Sequence, residues 1–161
     1  MKRIGIISDT HGYLDIIDAA LEQTIDEDID IWLHCGDYGD DARYMEKQTD
    51  IPVYAVCGNN DQMQPLEPNE QLITIENTYI YMTHGHKVSY YNRISELLHL
   101  GQSMGARLVV AGHTHVKEVY HLGNAVFVNP GSAALPRDGR EGSYVIVTYK
   151  DDEFTVEFFR L

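Results

Sequence analysis

The chain has 161 residues, of which 43% are hydrophobic and 23% are charged. This favours one soluble domain over residues 1–161 and argues against a membrane partner, because no apolar run is long enough to cross a bilayer. The net charge of −13 disfavours nucleic acid as a partner, because a polyanion is bound through a broad basic face. Cys35 and Cys57 form no CxxC motif and are too few for a disulfide framework, so we expect a cytoplasmic protein.

The first third of the sequence alternates predicted strands and helices. The run RIGIIS is nearly continuously apolar, as in a buried parallel strand, and it reaches Asp9 too soon to be a secretory signal. Leu14, Ile17, Leu21 and Ile25 then recur at helical spacing. The predicted elements are strands at 3–8, 30–35 and 52–57 and helices at 14–25 and 41–47. This βαβαβ order predicts a parallel sheet with right-handed crossovers.

The remainder of the sequence predicts further strands around one helix. A loop with Pro65 and Pro68 runs from Gly58 to Asn69, and two paired strands follow, joined by a turn at Asn77. The later predicted elements are strands at 71–76, 78–84, 107–112, 118–123, 125–131, 143–150 and 153–159 and a helix at 94–105. Together the elements predict an α/β protein with two packed sheets and helices outside them.

The segment VVAGHTHV, Val109 to Val116, ends a predicted strand with two histidines separated by one residue. In an extended segment residues i and i+2 lie on one side, so His113 and His115 can converge on one point. Convergent imidazoles favour a metal site, although a single histidine at a strand end is more often an ordinary surface residue. The pair therefore needs partners elsewhere in the chain.

Side chains that can bind metal also follow four other predicted strands, and most of these positions lie beside a glycine. In open parallel sheets, ligands bind beyond the carboxyl ends of the strands. The alternative is that these are helix caps and turn residues, which would require the same coincidence at five strand ends. Carboxylate, imidazole and carboxamide donors together suit Mn, Fe or Zn. The residues, grouped by strand, are Asp9 and His11; Asp37; Asn59, Asn60 and Asp61; His84 and His86; and His113 and His115.

Five motifs occur in an order typical of the calcineurin-like metallophosphoesterases, which this sequence therefore resembles. They span residues 9–115 and are Asp9-x-His11, Gly36-Asp37, Gly58-Asn59-x-Asp61, His84 and Gly112-His113-x-His115. The segment NPGS at 129–132 is similar to a further motif of the small single-domain phosphodiesterase branch. The resemblance implies a four-layer αββα sandwich, with two mixed β-sheets flanked by helices, and a dinuclear metal centre.

By the same resemblance, each ion would have its own ligands and one carboxylate would bridge the two ions. The first ion would be held by Asp9, His11, Asp37 and His115, and the second by Asp37, Asn59, His84 and His113. His113 and His115 would then face different ions, since the ions of such centres lie about 3.5–4 Å apart. The expected cofactor is two divalent metal ions, with Mn(II) as the first choice and Fe, Ni or Zn as alternatives.

The resemblance implies hydrolysis of a small phosphodiester by a hydroxide that bridges the two ions, without a covalent enzyme intermediate. Many family members have a histidine in the third motif to protonate the leaving oxygen, and Asn60 occupies that position here. A carboxamide is not an acid near neutral pH, so His86 is the candidate acid, unless it is a solvated turn residue. Asn60 could instead donate a hydrogen bond to a phosphoryl oxygen. Arg137 could bind the phosphate or be a solvated loop residue.

Two other functions fit the same motifs. One is a metal-binding scaffold of the retromer-subunit type, which has lost full metal competence; the presence of every expected ligand argues against it. The other is a phosphomonoesterase acting on a nucleotide or sugar phosphate. A recombination-type nuclease is disfavoured because the chain is short and acidic. The expected partner is thus a small phosphoester, and homo-oligomerisation stays open.

Overall fold

The computed structural model describes residues 1–61 and 65–161, so residues 62–64 of the loop predicted at 58–69 lie outside the described part. The strands are β1 (Lys2–Ile7), β2 (Ile31–His34), β3 (Val53–Ala55), β4 (Glu70–Ile75), β5 (Thr78–Thr83), β6 (Ala106–Val110), β7 (Lys117–Leu122), β8 (Ala125–Pro130), β9 (Ser143–Lys150) and β10 (Glu153–Arg160). The helices are α1 (Leu14–Gln23), α2 (Gly39–Gln48) and α3 (Arg93–Ser103), and a 3₁₀ turn covers Tyr90–Asn92.

The strands form two five-stranded sheets, each of which contains three adjacent parallel strands. In the first sheet the order is β10-β9-β1-β2-β3; β1, β2 and β3 are parallel, and β9 is antiparallel to both of its neighbours, β1 and β10. In the second sheet the order is β4-β5-β6-β8-β7, with β5, β6 and β8 parallel and β4 and β7 antiparallel. Both sheets are therefore mixed, as the family resemblance implies, and β1, β2 and β3 are parallel, as their βαβαβ order predicts.

Three buried clusters define the layers. Between the sheets, side chains such as Ile6 of the first sheet and Met82 of the second belong to one apolar cluster. Helices α1 and α2 cover the outer face of the first sheet through a cluster that contains Trp32. Helix α3 covers the outer face of the second sheet, where Leu97 packs with Phe127. The predicted four-layer αββα sandwich is thus confirmed.

The main differences from the predicted elements are at their ends. The helix predicted to reach Ile25 ends at Gln23, where the hydroxyl of Thr24 donates a 2.8 Å hydrogen bond back to the carbonyl of Ala20. Ile25 is 81% exposed, so it contributes little to the apolar face of α1. The second helix begins at Gly39 rather than Asp41. Such end shifts are common, because capping contacts are weaker signals than apolar periodicity.

The two sheets place their loops at one end of the sandwich. Because β1, β2 and β3 are parallel, the loops that follow them emerge together, and the loops after β5 and β6 emerge beside them. All five strand ends singled out in the sequence therefore meet at this edge. None of the helices in residues 1–61 and 65–161 is long and apolar enough to span a membrane.

The close packing of β1 against β2 can be tested at Gly5. A Cβ at Gly5 would lie 2.5 Å from the ring of Trp32, which is fully buried. We expect Gly5→Ala to lower the free energy of unfolding by about 1–3 kcal/mol through overpacking. Gly139→Ala is the matched control, since nothing lies within 4 Å of its Cβ. Urea unfolding compares the two variants, and equal stability would show that Trp32 does not constrain β1.

Candidate metal centre

The loops at the strand ends have an unusual backbone. Asp9, His11, Asp37, His113 and His115 have φ values of 54°, 50°, 103°, 72° and 60°. Residues other than glycine seldom adopt this left-handed region, and such outliers cluster at functional sites. All five are residues that the sequence singles out as metal ligands. The surrounding structure therefore fixes these side chains in positions that the local sequence alone would not favour.

The first group of side chains comes from the loops after β1 and β6. Candidate ligand atoms of Asp9, His11 and His115 all lie within 4.8 Å of one another. The Nε2 atoms of His11 and His115 are 3.2 Å apart, and His115 Nε2 lies 3.2 Å from Asp9 Oδ1. The structure thus brings together three of the four side chains expected around one ion.

The second group surrounds the carboxamide of Asn59. Its Oδ1 lies 3.0 Å from His84 Nε2 and 2.9 Å from His113 Nδ1. His84 Nε2 is also 3.9 Å from Asp9 Oδ1 and 4.0 Å from Asp37 Oδ1. Oxygen and nitrogen donors from β3, β5 and β6 therefore converge beside the first group.

Asp37 lies between the two groups. Its Oδ2 is 3.0 Å from His11 Nδ1 of the first group, whereas its Oδ1 faces His84 of the second group at 4.0 Å. All seven predicted ligands therefore lie in one continuous site. Asp9 is also close to both groups, because it can form a metal-sized cluster with His11 and His115 or with Asp37 and His84.

The surroundings of two carboxylate oxygens indicate whether this site suits cations. Asp9 Oδ1 and Asp37 Oδ2 are buried and make no hydrogen bond to the described residues. Each has an imidazole nitrogen at 3.0–3.2 Å, but outside hydrogen-bond geometry. A buried carboxylate without partners is costly, and a divalent cation would satisfy both oxygens. The mixed oxygen and nitrogen donors fit borderline metals better than an all-oxygen calcium site.

Hydrogen bonds orient the ligand atoms toward the site. His84 Nδ1 lies 2.8 Å from the carbonyl of Cys35, and His115 Nδ1 lies 2.7 Å from that of Leu135. When Nδ1 donates to a carbonyl, Nε2 carries the lone pair that binds a metal. The Ser8 hydroxyl and the His113 amide donate to Asp9 Oδ2 at 2.6 and 3.0 Å, which leaves Asp9 Oδ1 for the site.

The pKa shifts agree with a site built for cations. Burial lowers the pKa of His84 to about 4 and also lowers the pKa of His113, which favours the neutral imidazole that a metal ligand requires. The contact with Asp9 raises the pKa of His115 instead, so cation binding there would displace a proton. Burial raises the pKa of Asp37, and the neighbouring Asp9 adds to the effect. Burial also opposes charge on Asp9, but contacts with His115, His84 and Ser8 outweigh it and lower its pKa.

The candidate catalytic and substrate-binding residues differ in how closely they approach the predicted metal ligands. Asn60 is exposed, and its amide donates a 2.6 Å hydrogen bond to Asp37 Oδ1. His86 is half-buried, with ring centroids 5.4 Å from His84 and 6.2 Å from His113, and its buried Nδ1 has no partner among the described residues. The backbone amide of Arg137 donates to the His115 carbonyl at 2.9 Å, but the residue is exposed. Asn60 and His86 therefore border the site, whereas Arg137 touches it through its backbone.

Two carboxylates outside the predicted ligand sets support the loops that carry the candidate ligands. Asp41, which looks like a helix-start residue, is buried and accepts hydrogen bonds from the Thr10 hydroxyl and the Gly12 amide, at 2.5 and 2.8 Å. It therefore holds the loop of Asp9 and His11. Asp61 accepts from the amides of Gly39 and Gly58 at 2.7 and 2.6 Å, and so joins the loops of Asp37 and Asn59.

The NPGS segment has a comparable supporting role. The Asn129 amide donates to the Gly112 carbonyl and the Thr114 hydroxyl, at 3.1 and 2.8 Å. The Ser132 hydroxyl donates to the Asp9 carbonyl at 2.7 Å. This segment therefore fixes the backbone of two ligand-bearing loops.

Comparison with known proteins identifies the family. The model of the calcineurin-like phosphoesterase superfamily domain matches residues 1–152, and the chain belongs to that superfamily. YsnB of Bacillus subtilis, named a probable metallophosphoesterase, is 30% identical over 96% of this chain and 88% of its own length. Phosphodiesterase MJ0936 of Methanocaldococcus jannaschii is 29% identical over 80% of this chain and 82% of its own length. The resemblance inferred from the motifs is therefore confirmed.

Solved structures agree with this family. A conserved protein of Streptococcus pneumoniae TIGR4, described as a predicted phosphoesterase, is 28% identical, with a TM-score of 0.84 over 99% of this chain and 89% of that one. A Vps29 mutant of Entamoeba histolytica is 23% identical, with a TM-score of 0.77 over 99% of both chains. At that identity, the likeness to Vps29 concerns the fold alone.

The unpaired carboxylate oxygens predict that cations stabilise the protein. A chelator should lower the melting temperature and added Mn(II) should restore it. At a hundredfold excess over its dissociation constant, Mn(II) should raise the free energy of unfolding by about 2.7 kcal/mol. Asp9→Asn should reduce the Mn(II) shift, whereas Asp50→Asn, at an exposed position, should retain it. Thermal melts of demonstrably metal-free samples measure the effect. A midpoint that Mn(II) leaves unchanged would count against the site.

Proposed function

We propose that the protein is a phosphodiesterase that uses two divalent metal ions, with Mn(II) as the first choice, to hydrolyse a small phosphodiester. The observation that carries the proposal is the pair of buried, unpaired oxygens of Asp9 and Asp37 beside two groups of imidazole and carboxamide donors. A scaffold that had lost full metal competence would have no need to keep both of these oxygens buried.

Asp37 is proposed as the bridging ligand. With it, Asp9, His11 and His115 form the first ligand set, and Asn59, His84 and His113 form the second. The divergence of the two oxygens of Asp37 toward His11 and His84 supports this division. When bound, two divalent ions activate water at neutral pH and withdraw charge from the phosphoryl oxygens.

The polar residues at the border of the site have separate proposed roles. The amide of Asn60 is exposed and already donates to an anionic oxygen, that of Asp37, so it is suited to donate to a phosphoryl oxygen as well. His86 has an unpaired ring nitrogen beside the imidazoles of the second ligand set. We propose that the protonated form of His86 supplies the proton to the leaving oxygen, a step that a carboxamide at position 60 cannot perform. Burial lowers the pKa of His86, so this form is the minor one at neutral pH.

The charge of the protein favours a diester over a monoester. The chain has 25 acidic and 12 basic residues, and a phosphomonoester near neutral pH carries close to two negative charges, against one for a diester. The name of the Methanocaldococcus relative, a phosphodiesterase, points the same way. A phosphomonoesterase and a Vps29-like scaffold are the alternatives that the assays below distinguish.

The substrate class can be tested with two aryl substrates. The Mn(II)-loaded protein should hydrolyse bis(p-nitrophenyl) phosphate with a higher kcat/KM than p-nitrophenyl phosphate. Asp37→Asn should lower this kcat/KM at least about 100-fold, whereas Asp50→Asn should change it by no more than about twofold. A higher kcat/KM on the monoester would make the protein a phosphomonoesterase. No turnover of either substrate by protein with both ions bound would favour the scaffold.

The role of His86 can be tested through the leaving group. A nitrophenolate leaves without a proton, whereas an alkoxide does not, so His86→Gln should barely slow an aryl diester and should slow an alkyl diester by about 10²- to 10⁴-fold. Asn60→Ala is the comparison, because a lost contact to a phosphoryl oxygen should slow both substrates alike. The measurement is kcat for each variant on each substrate. Equal slowing of both substrates by His86→Gln would show that His86 is not the proton donor.

A further inference from the structure

Arg93 is buried at the N-terminus of a helix, where its positive charge does not stabilise the helix. It is the first residue of α3 and is 5% exposed. A positive charge at a helix N-terminus opposes the helix dipole, and burial of a guanidinium requires compensating contacts. Among the described residues, no carboxylate lies within 4.0 Å of Arg93; the arginines with ion pairs are Arg3, Arg43, Arg107 and Arg160.

The compensating contacts are backbone carbonyls of two ligand-bearing loops. One terminal nitrogen of Arg93 donates to the carbonyl of Gly85. The other donates to the carbonyls of His84 and Gly112, at 3.3 and 2.6 Å. One planar guanidinium therefore joins the loop after β5, which carries His84, to the loop after β6, which carries His113.

The neighbouring glycine leaves room for this contact. Gly85 has a φ of 81°, and a Cβ at this position would collide with the guanidinium of Arg93. The guanidinium thus occupies the space behind the His84 loop that a side chain would otherwise fill. The rings of His84 and His113, whose centroids are 5.1 Å apart, are presented by the two loops that Arg93 joins.

We propose that Arg93 is a positioning residue for the second ligand set, because it fixes the spacing between His84 and His113. The inference rests on the proposed function, since it needs two distinguishable ions. Arg93 touches neither ligand side chain through its own donors and acts through the loop carbonyls. Residues that orient metal ligands in this way typically change metal affinity or activity by about 10- to 100-fold when they are replaced.

The test is metal binding by Arg93→Met, which keeps a long apolar side chain but removes all donors. Arg107→Met is the matched control, because Arg107 lies at the other end of β6, donates to the Asn124 carbonyl and pairs with Asp152. Calorimetric titration with MnCl2 should give two ions for the wild type and for Arg107→Met. In Arg93→Met one ion should keep its affinity and the other should bind about 10- to 100-fold more weakly.

Two further measurements separate positioning from general destabilisation. Arg93→Lys keeps the charge but replaces the planar guanidinium with a single ammonium group, so it should bind the weakened ion with an intermediate affinity. This variant also replaces Arg93→Met in the experiment if Arg93→Met does not fold. In a His115→Ala background, where the second set is the intact one, Arg93→Met should weaken the remaining ion. The electron paramagnetic resonance signal of a coupled Mn(II) pair should disappear in Arg93→Met at metal concentrations that saturate Arg107→Met.

Failure of the positioning role and failure of the proposed two-metal function would give different results in these titrations. Unchanged affinity for both ions in Arg93→Met and Arg93→Lys, or an equal loss of both ions, would overturn the positioning role. A wild-type protein that binds fewer than two ions would instead overturn the proposed two-metal function itself, and the inference with it.

Discussion

The site depends on two carboxylate oxygens that the polypeptide buries without giving them partners, Asp9 Oδ1 and Asp37 Oδ2. Such burial is unfavourable unless something outside the chain supplies positive charge. Within the chain, the imidazole of His115 lies 3.2 Å from Asp9 Oδ1, and this contact raises the pKa of His115, whereas burial lowers the pKa of His84 and His113 and favours their neutral forms. A divalent cation would supply the positive charge and leave all three imidazoles free to bind through their lone pairs. The same arrangement that is costly for the protein alone is therefore suited to divalent cations.

The rest of the fold keeps these groups together. Each loop with candidate ligands follows one of the strands β1, β2, β3, β5 and β6, and its backbone is fixed by polar side chains such as Asp41, Asp61, Asn129 and Ser132. Left-handed backbone at residues other than glycine costs about 1–3 kcal/mol each. The packed sandwich must offset that cost, which explains why the site lies on rigid strand ends rather than on a long flexible loop.

Much of this could be predicted from the sequence, because local spacing carries the information. The His-x-His pair and the polar residues after apolar runs indicate which side chains share an edge, and the motif order indicates the family. The supporting contacts could not be predicted in this way. Arg93 lies at the start of an amphipathic helix, and Asp41 looks like an ordinary helix-start residue. Their partners are 19 and 31 residues away, and no local pattern links them. Periodicity also predicts too late an end for α1, because Ile25 lies at a helical spacing but is exposed, and the helix ends at Gln23, just before Thr24 bonds back to Ala20.

The most direct test of the account is anomalous diffraction at the manganese absorption edge from crystals grown with MnCl2. The account predicts two anomalous peaks that share Asp37 as a ligand. One peak should lie beside Asp9, His11 and His115, and the other beside Asn59, His84 and His113. A single peak, or two peaks without a common Asp37 ligand, would contradict it.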